Sequence, residues 1–169
     1  ESRVGENVYL NMIKNAKKTL YVTTPYLIPG DVMIRELTMA KERGVDVRIL
    51  TPGIPDKKVI YRVTRSYYNC LLKKGIRIYE YTPGFLHAKQ MVADNEIAAV
   101  GTINMDYRSL CHHFENGILM YQTDAVNDVT NSMQALFAES KEVDANRHTE
   151  RFVVLRMFDC VLRLLAPLF

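Results

Sequence analysis

The chain has 169 residues, 48% of them hydrophobic, which is enough for one domain with a real core and too short for two ordinary ones. Its 22 basic and 19 acidic residues leave a formal net charge of +3, which suits an anionic partner but is too small an excess to mark a nucleic-acid binder. Three dispersed cysteines, Cys70, Cys111 and Cys160, with no CxxC pairing exclude a disulfide framework and point to reduced thiols in a cytoplasmic-type compartment.

Apolar positions at helical spacing predict a first helix over 5–18, and "TLYVTT" (19–24) reads as a strand. "PYLIPGD" interrupts the pattern, with Asp31 placed to cap a helix over 32–43 that ends at Gly44. "VDVRILTP" (45–52) alternates as a strand does, a helix over 57–74 ends at Gly75, and "IRIYEY" (76–81) is the next strand. Two strands, 86–93 and 96–101, follow with Asp94-Asn95 as a tight turn between them. A strand over 115–122 and helices over 125–141 and 150–165 complete the chain. Alternating strands and helices in the first eighty residues favour an α/β sandwich, with a mixed, largely parallel central sheet covered by helices on both faces. The chain begins at Glu1 without a signal segment, as expected of a piece cut or processed from something longer, and no apolar run reaches the length of a bilayer span.

The chemistry concentrates in "FLHAKQMVADNEIAAVGTINMDYRSL" (85–110). In a strand over 86–93, His87 and Lys89 share a face. The hairpin turn would carry Thr102 and Asn104 towards them. An imidazole, an ammonium, a hydroxyl and a carboxamide together suit an anionic transition state, above all a phosphoryl one. On residue chemistry alone, a hydrogen-bonded structural histidine and a lysine snorkelling to water account for the pair equally well.

The interval pattern is more specific. From His87 the chain reads H-x-K, four residues, D, six residues, G-T-x-N, ending at Asn104. This resembles the HKD signature of the phospholipase D superfamily and implies that superfamily's α/β/α sandwich as a single domain over 1–169. The resemblance makes His87, Lys89, Asn104 and Thr102 active-site residues, gives Asp94 and Gly101 structural places in the motif, and implies no metal and no other cofactor. It also implies that Glu115, in "HHFENG", holds the catalytic imidazole.

"TPYLIPGDVMIREL", "AKERGVDVRILTPGIPDKKVIYRVTRSYYNCLLKKGIRIYEYTPGFLHAK", "GTINMDYRSL" and the closing "LRLLAPLF" are similar to the C-terminal catalytic half of bacterial cardiolipin synthases. That resemblance implies phosphatidyl transfer between two phosphatidylglycerol molecules through a phosphohistidine, at an anionic membrane surface, as a peripheral or soluble domain on the cytoplasmic side of a bacterial membrane. Nucleic acid is not an expected partner. The superfamily uses two such histidines, and only one HKD motif is present here. The implied partner is therefore a second HKD domain, either a missing N-terminal half or a homodimer mate. In the full enzyme His87 would be the general acid/base, and in a homodimer it would serve both roles. The alternatives are a single-HKD phosphodiesterase, a phospholipase D or nuclease acting as a homodimer, and a folded module inactive without its companion.

The remaining features are weaker. Cys111, His112 and His113 match no zinc spacing. Lys57, Lys58, Arg62, Arg65, Lys73, Lys74 and Arg77 face either anionic headgroups or plain solvent. Tyr26, Tyr67 and Tyr68 suit core packing better than a substrate groove. In 150–165, Arg156, Asp159 and Arg163 form one stripe on an otherwise apolar helix, for burial, a companion half or a membrane surface.

Overall fold

The computed structural model describes residues 3–144. In chain order they form α1 (Val4–Asn15), β1 (Thr19–Thr23), β2 (Leu27–Ile28), α2 (Asp31–Glu42), β3 (Asp46–Pro52), α3 (Lys58–Leu72), β4 (Arg77–Tyr81), β5 (Gln90–Ala93), β6 (Ile97–Gly101), β7 (Met105–Asp106), α4 (Tyr107–Cys111), β8 (Gly117–Tyr121), α5 (Asp124–Ala138) and β9 (Lys141–Glu142). Seven strands make the main sheet in the order β8-β6-β5-β1-β3-β4-β9, and β2 pairs with β7 in a small second sheet.

The sheet is mixed. Strands β1, β3 and β4, which alternate with helices, run parallel, whereas the β5–β6 hairpin, β8 and β9 join antiparallel. Parallel neighbours need a crossover to return the chain, and α2 and α3 supply it. Alternation along β1 sends Leu20 and Val22 to a core shared with Met12 and Ile13 of α1, Leu37 of α2 and Tyr68 and Leu71 of α3. Tyr21 points the other way, to Val126, Met133 and Phe137 of α5. Covered on both faces, β1 is buried at every position after Thr19, as befits a central strand. The expected α/β/α sandwich is the observed one, and Tyr67 and Tyr68 belong to its core.

Some local expectations are corrected. Asp31 is the first helical residue and makes no capping bond; Gly30 holds the N-cap position. Both helices read as ending in glycine do so, with Gly44 at φ 91 and Gly75 at φ 78, conformations open to residues without a Cβ. The strand expected over 86–93 starts only at Gln90, because β1 ends at Thr23, opposite Gln90, and offers no partner before it. Asp94 and Asn95 do form the tight turn, at φ 57 and 56, and Glu96 N donates back to Ala93 O at 3.0 Å. The ladder pairs Ala93 with Ile97, so Glu96 is one residue more than a two-residue hairpin has. The helix expected over 150–165 lies outside the described residues. Among the described residues no helix is long and apolar enough to cross a membrane.

Candidate active site

The site lies where the main sheet meets the small one. Residues 82–89 lead irregularly from β4 to β5, and His87 and Lys89 stand on the last stretch of that connection. Lys89 is tied to the sheet by its backbone, Gly101 N donating to Lys89 O at 3.2 Å, so the start of one motif half abuts the end of the other. The pairing of β2 with β7 then draws Tyr26 and Asn104, which directly precede those strands, to the same end of the sheet.

His87 is exposed and held by rings instead of by a strand. Phe85 stacks on it at 5.4 Å between centroids, and Tyr26 meets it edge-on at 6.2 Å. Lys89 Nζ donates to the His87 carbonyl at 2.7 Å, which keeps the ammonium beside the imidazole. Burial lowers the imidazole's affinity for a proton, and Lys89 lowers it further, while Asp56 acts against both; the net direction is below the ordinary histidine value. Lys89 is likewise depressed, by burial, with Glu115, Asp56 and Asp106 opposing. His87 should therefore titrate below about 6.5. Followed by NMR of the imidazole protons, its midpoint should rise in Lys89→Met; a midpoint that stays or falls would contradict the arrangement. With its folded value depressed, His87 binds fewer protons folded than unfolded, so its contribution to stability rises with pH from the folded value up to the unfolded one.

Glu115 does not reach His87 within the chain. Its carboxylate accepts from Thr102 Oγ1 in a very short bond and from Ser109 Oγ at 2.6 Å, and His113 Nδ1 stands 3.6 Å away. The expectation that it holds this imidazole is corrected for the single chain: the ends of β6 and α4 flank Glu115 and take both its oxygens. Thr102 is fixed from two sides, since Asn116 N donates to Thr102 Oγ1 at 2.9 Å. Gly101 makes this possible. A Cβ there would lie 2.6 Å from Gly117 Cα and closer still to Asn116 O, so only glycine lets β6 and β8 approach this far.

Asn104 N donates to Ser109 Oγ at 2.9 Å, and Asn104 Oδ1 is buried with no hydrogen-bond partner. Such an atom costs stability until a donor arrives, and ligand sites are where that cost is tolerated. Ser109, which the motif does not include, organises the cluster: its N–H donates to Asp106 Oδ1 at 2.7 Å and its hydroxyl serves both Asn104 and Glu115. Asp106 caps α4, and burial, with Glu115 nearby, pushes its carboxyl up. Asp94 lies away from this chemistry. Its two oxygens accept from the backbone N–H groups of Lys17, Lys18 and Thr19 at 2.7–2.8 Å, fastening the α1–β1 turn to the hairpin.

Sequence reasoning missed Ser109, Asp56 and Phe85, and it favoured the core for Tyr26. The Tyr26 hydroxyl instead donates to Asp56 Oδ2 at 2.5 Å beside His87. The basic set divides: Arg65 pairs with Glu80 at 3.2 Å and Arg77 with Glu142 at 2.8 Å, whereas Lys57, at the N-cap of α3, lies beside Tyr26 and Asn104. His112 packs edge-on against Tyr107, and His113 accepts from Arg108, so Cys111, His112 and His113 serve different neighbours.

Residues 9–137 match a family described as cardiolipin synthase, PLD-like domain. An uncharacterised protein of Streptococcus mutans is 45% identical over 98% of this chain and 36% of its own length. The cardiolipin synthase of Geobacillus thermodenitrificans is 39% identical over 98% of this chain and 33% of its own length. The chain thus spans about a third of the relatives it matches. In fold it is similar to the phospholipase D family member Nuc of Salmonella typhimurium, with a TM-score of 0.69 at 19% identity, covering 81% of this chain and 89% of that one. With the motif, the fold and the relatives in agreement, the chain belongs to the cardiolipin synthase, PLD-like domain family of the phospholipase D superfamily.

Proposed function

We propose that this chain is one catalytic half of a phosphatidyltransferase that joins two phosphatidylglycerol molecules into cardiolipin and glycerol. The observation that carries the reading is an open His87 imidazole beside the Lys89 ammonium, in a chain 39% identical to a cardiolipin synthase. In this reading one imidazole nitrogen attacks the donor's phosphorus, the bond to the glycerol oxygen breaks, and a second imidazole protonates that oxygen. The acceptor's primary hydroxyl then gives its proton to the second imidazole and forms the new P–O bond, while the P–N bond breaks and its electron pair returns to the first. Lys89 and Asn104 stabilise the phosphoryl oxygens in both steps, while Thr102 holds Glu115. Neutral imidazole, the form burial and Lys89 favour in His87, is the one that attacks or accepts a proton.

The second imidazole comes from a companion half, either an HKD domain preceding this one or another copy of this chain. The β8 edge supports such an assembly. Among the described residues its outer side is unpaired, and Ile118, Leu119 and Tyr121 are exposed along it, with Phe114 fully exposed just before them. Long apolar edges of this kind are normally covered. An anionic membrane surface would supply the substrate, with Lys57 and Lys58 towards it.

Incubation with phosphatidylglycerol liposomes, followed by mass spectrometry of the lipids, tests this. Cardiolipin from the chain alone is expected if two copies complete the site, and cardiolipin only after the companion half is added is expected if they do not. Cleavage of DNA with no lipid product in either case would replace the reading with that of a nuclease.

A further inference from the structure

Joining two phosphatidylglycerol molecules sets an electrostatic problem that simple hydrolysis does not. The acceptor is itself a phosphodiester, and in the product its phosphate stands only a glycerol away from the phosphorus under attack. Two anions at that separation repel, so the acceptor needs cations of its own beside the HKD cluster. Water and neutral alcohols need none.

A cavity of about 140 Å³ adjoins the cluster, with Asn104 on its wall together with Tyr26, Lys57, Arg108 and His113. It is less than half the roughly 300 Å³ at which pockets for drug-sized ligands begin, so it admits a headgroup and leaves the acyl chains outside. Arg108 Nε donates to His113 Nε2 at 2.9 Å, which fixes the guanidinium on the cavity wall without neutralising it. Among the described residues neither Arg108 nor Lys57 has a carboxylate within ion-pair distance. The acids nearby are otherwise engaged: Asp106 accepts from Ser109 N and is 5% exposed, and Asp56 accepts from Tyr26 and from Lys57 N. Asn104 of the motif lines the same wall, which places the cavity directly against the HKD cluster. Two unneutralised cations on one wall suit a molecule that brings a phosphate.

We propose that this cavity binds the headgroup of the acceptor lipid, with Lys57 and Arg108 on its phosphate. The pair thereby favours a glycerophospholipid over water as the acceptor. The inference rests on the phosphatidyltransferase reading and assigns these residues to acceptor choice, distinct from the attack on phosphorus by the motif histidine.

The test uses the assembly that makes cardiolipin, supplied with vesicles of phosphatidylglycerol, and reads the ratio of cardiolipin to phosphatidic acid. The ratio is independent of how much of a variant is folded. Lys57→Ala and Arg108→Ala should each lower it about tenfold and the double variant further, as loss of a charge-assisted contact implies. Lys57→Arg should keep it near the unmutated value. A ratio unchanged within about twofold in the double variant would overturn the assignment. So would a double variant that forms neither product, because attack by water requires neither cation. An unmutated assembly that forms neither lipid defeats the underlying reading instead.

Discussion

His87→Ala is expected to remove lipid turnover from the assembled enzyme, by about 10³-fold or more, while leaving the fold intact. The size follows from its role: whether the imidazole attacks phosphorus or moves the proton, alanine leaves no group to do so, and general acid–base catalysis alone contributes about 10²–10⁴-fold. The fold should survive because the ring is exposed and makes no side-chain hydrogen bond among the described residues; its contacts are the Phe85 stack and the Tyr26 edge. Circular dichroism and thermal melts of the variant should match those of the unmutated chain. Turnover within tenfold of the unmutated rate would show that the chemistry is not at His87. Lys89→Met is the informative companion, since it leaves the nucleophile in place and removes the charge beside it.

Asp94→Ala should instead leave the chemistry in place and weaken the fold. One carboxylate accepts three consecutive backbone N–H groups, from Lys17, Lys18 and Thr19, and among the described residues no other side chain accepts from them. Bonds to a charged acceptor contribute about 1.5–3 kcal/mol each when well shielded, and partial exposure reduces that, so a loss of about 2–4 kcal/mol in all is expected. Alanine would also have to adopt φ 57, which Asp and Asn tolerate better. A drop in melting temperature of roughly 5–15 °C follows for a domain of this size. Asp94→Asn keeps one acceptor and the backbone preference and should lie between. Burial alone would raise the Asp94 carboxyl, but the three N–H groups and Lys17 outweigh it and hold it below the ordinary carboxylate range. Its folded value is thus depressed, so the stability it confers is present above the unfolded value of about 3.9 and is lost as pH falls through the folded one. In Asp94→Ala that acid-side loss should be smaller. A melting temperature within 2 °C of the unmutated chain at pH 7 would mean that the turn is held by something else.

Much of this was legible in the sequence because it depends on neighbours in the chain. Period-two and period-3.6 patterns are set by backbone geometry, so the expected strands and helices up to Ala138 lie within a few residues of the observed ones, whereas the short β2, β7 and α4 were not foreseen. Gly44 and Gly75 marked helix ends because positive φ is a local requirement. The intervals from His87 to Asn104 carried the family, since one hairpin brings both motif halves to one place.

What the sequence left undecided depends on groups far apart along it. A strand extends only as far as a partner exists, and β1 stops at Thr23, so His87 stands before β5 and is positioned by rings. Glu115 fits the motif's spacing, yet Thr102 and Ser109 occupy its oxygens, a competition that only packed neighbours decide. Tyr26 is apolar enough for the core, but the pairing of β2 with β7 carries it to the cavity beside Asn104. The chain by itself determined which chemical groups are present and which elements bear them. The tertiary structure decided which of those groups meet, because hydrogen bonds and charges act over a few ångströms of space, whatever their separation in sequence.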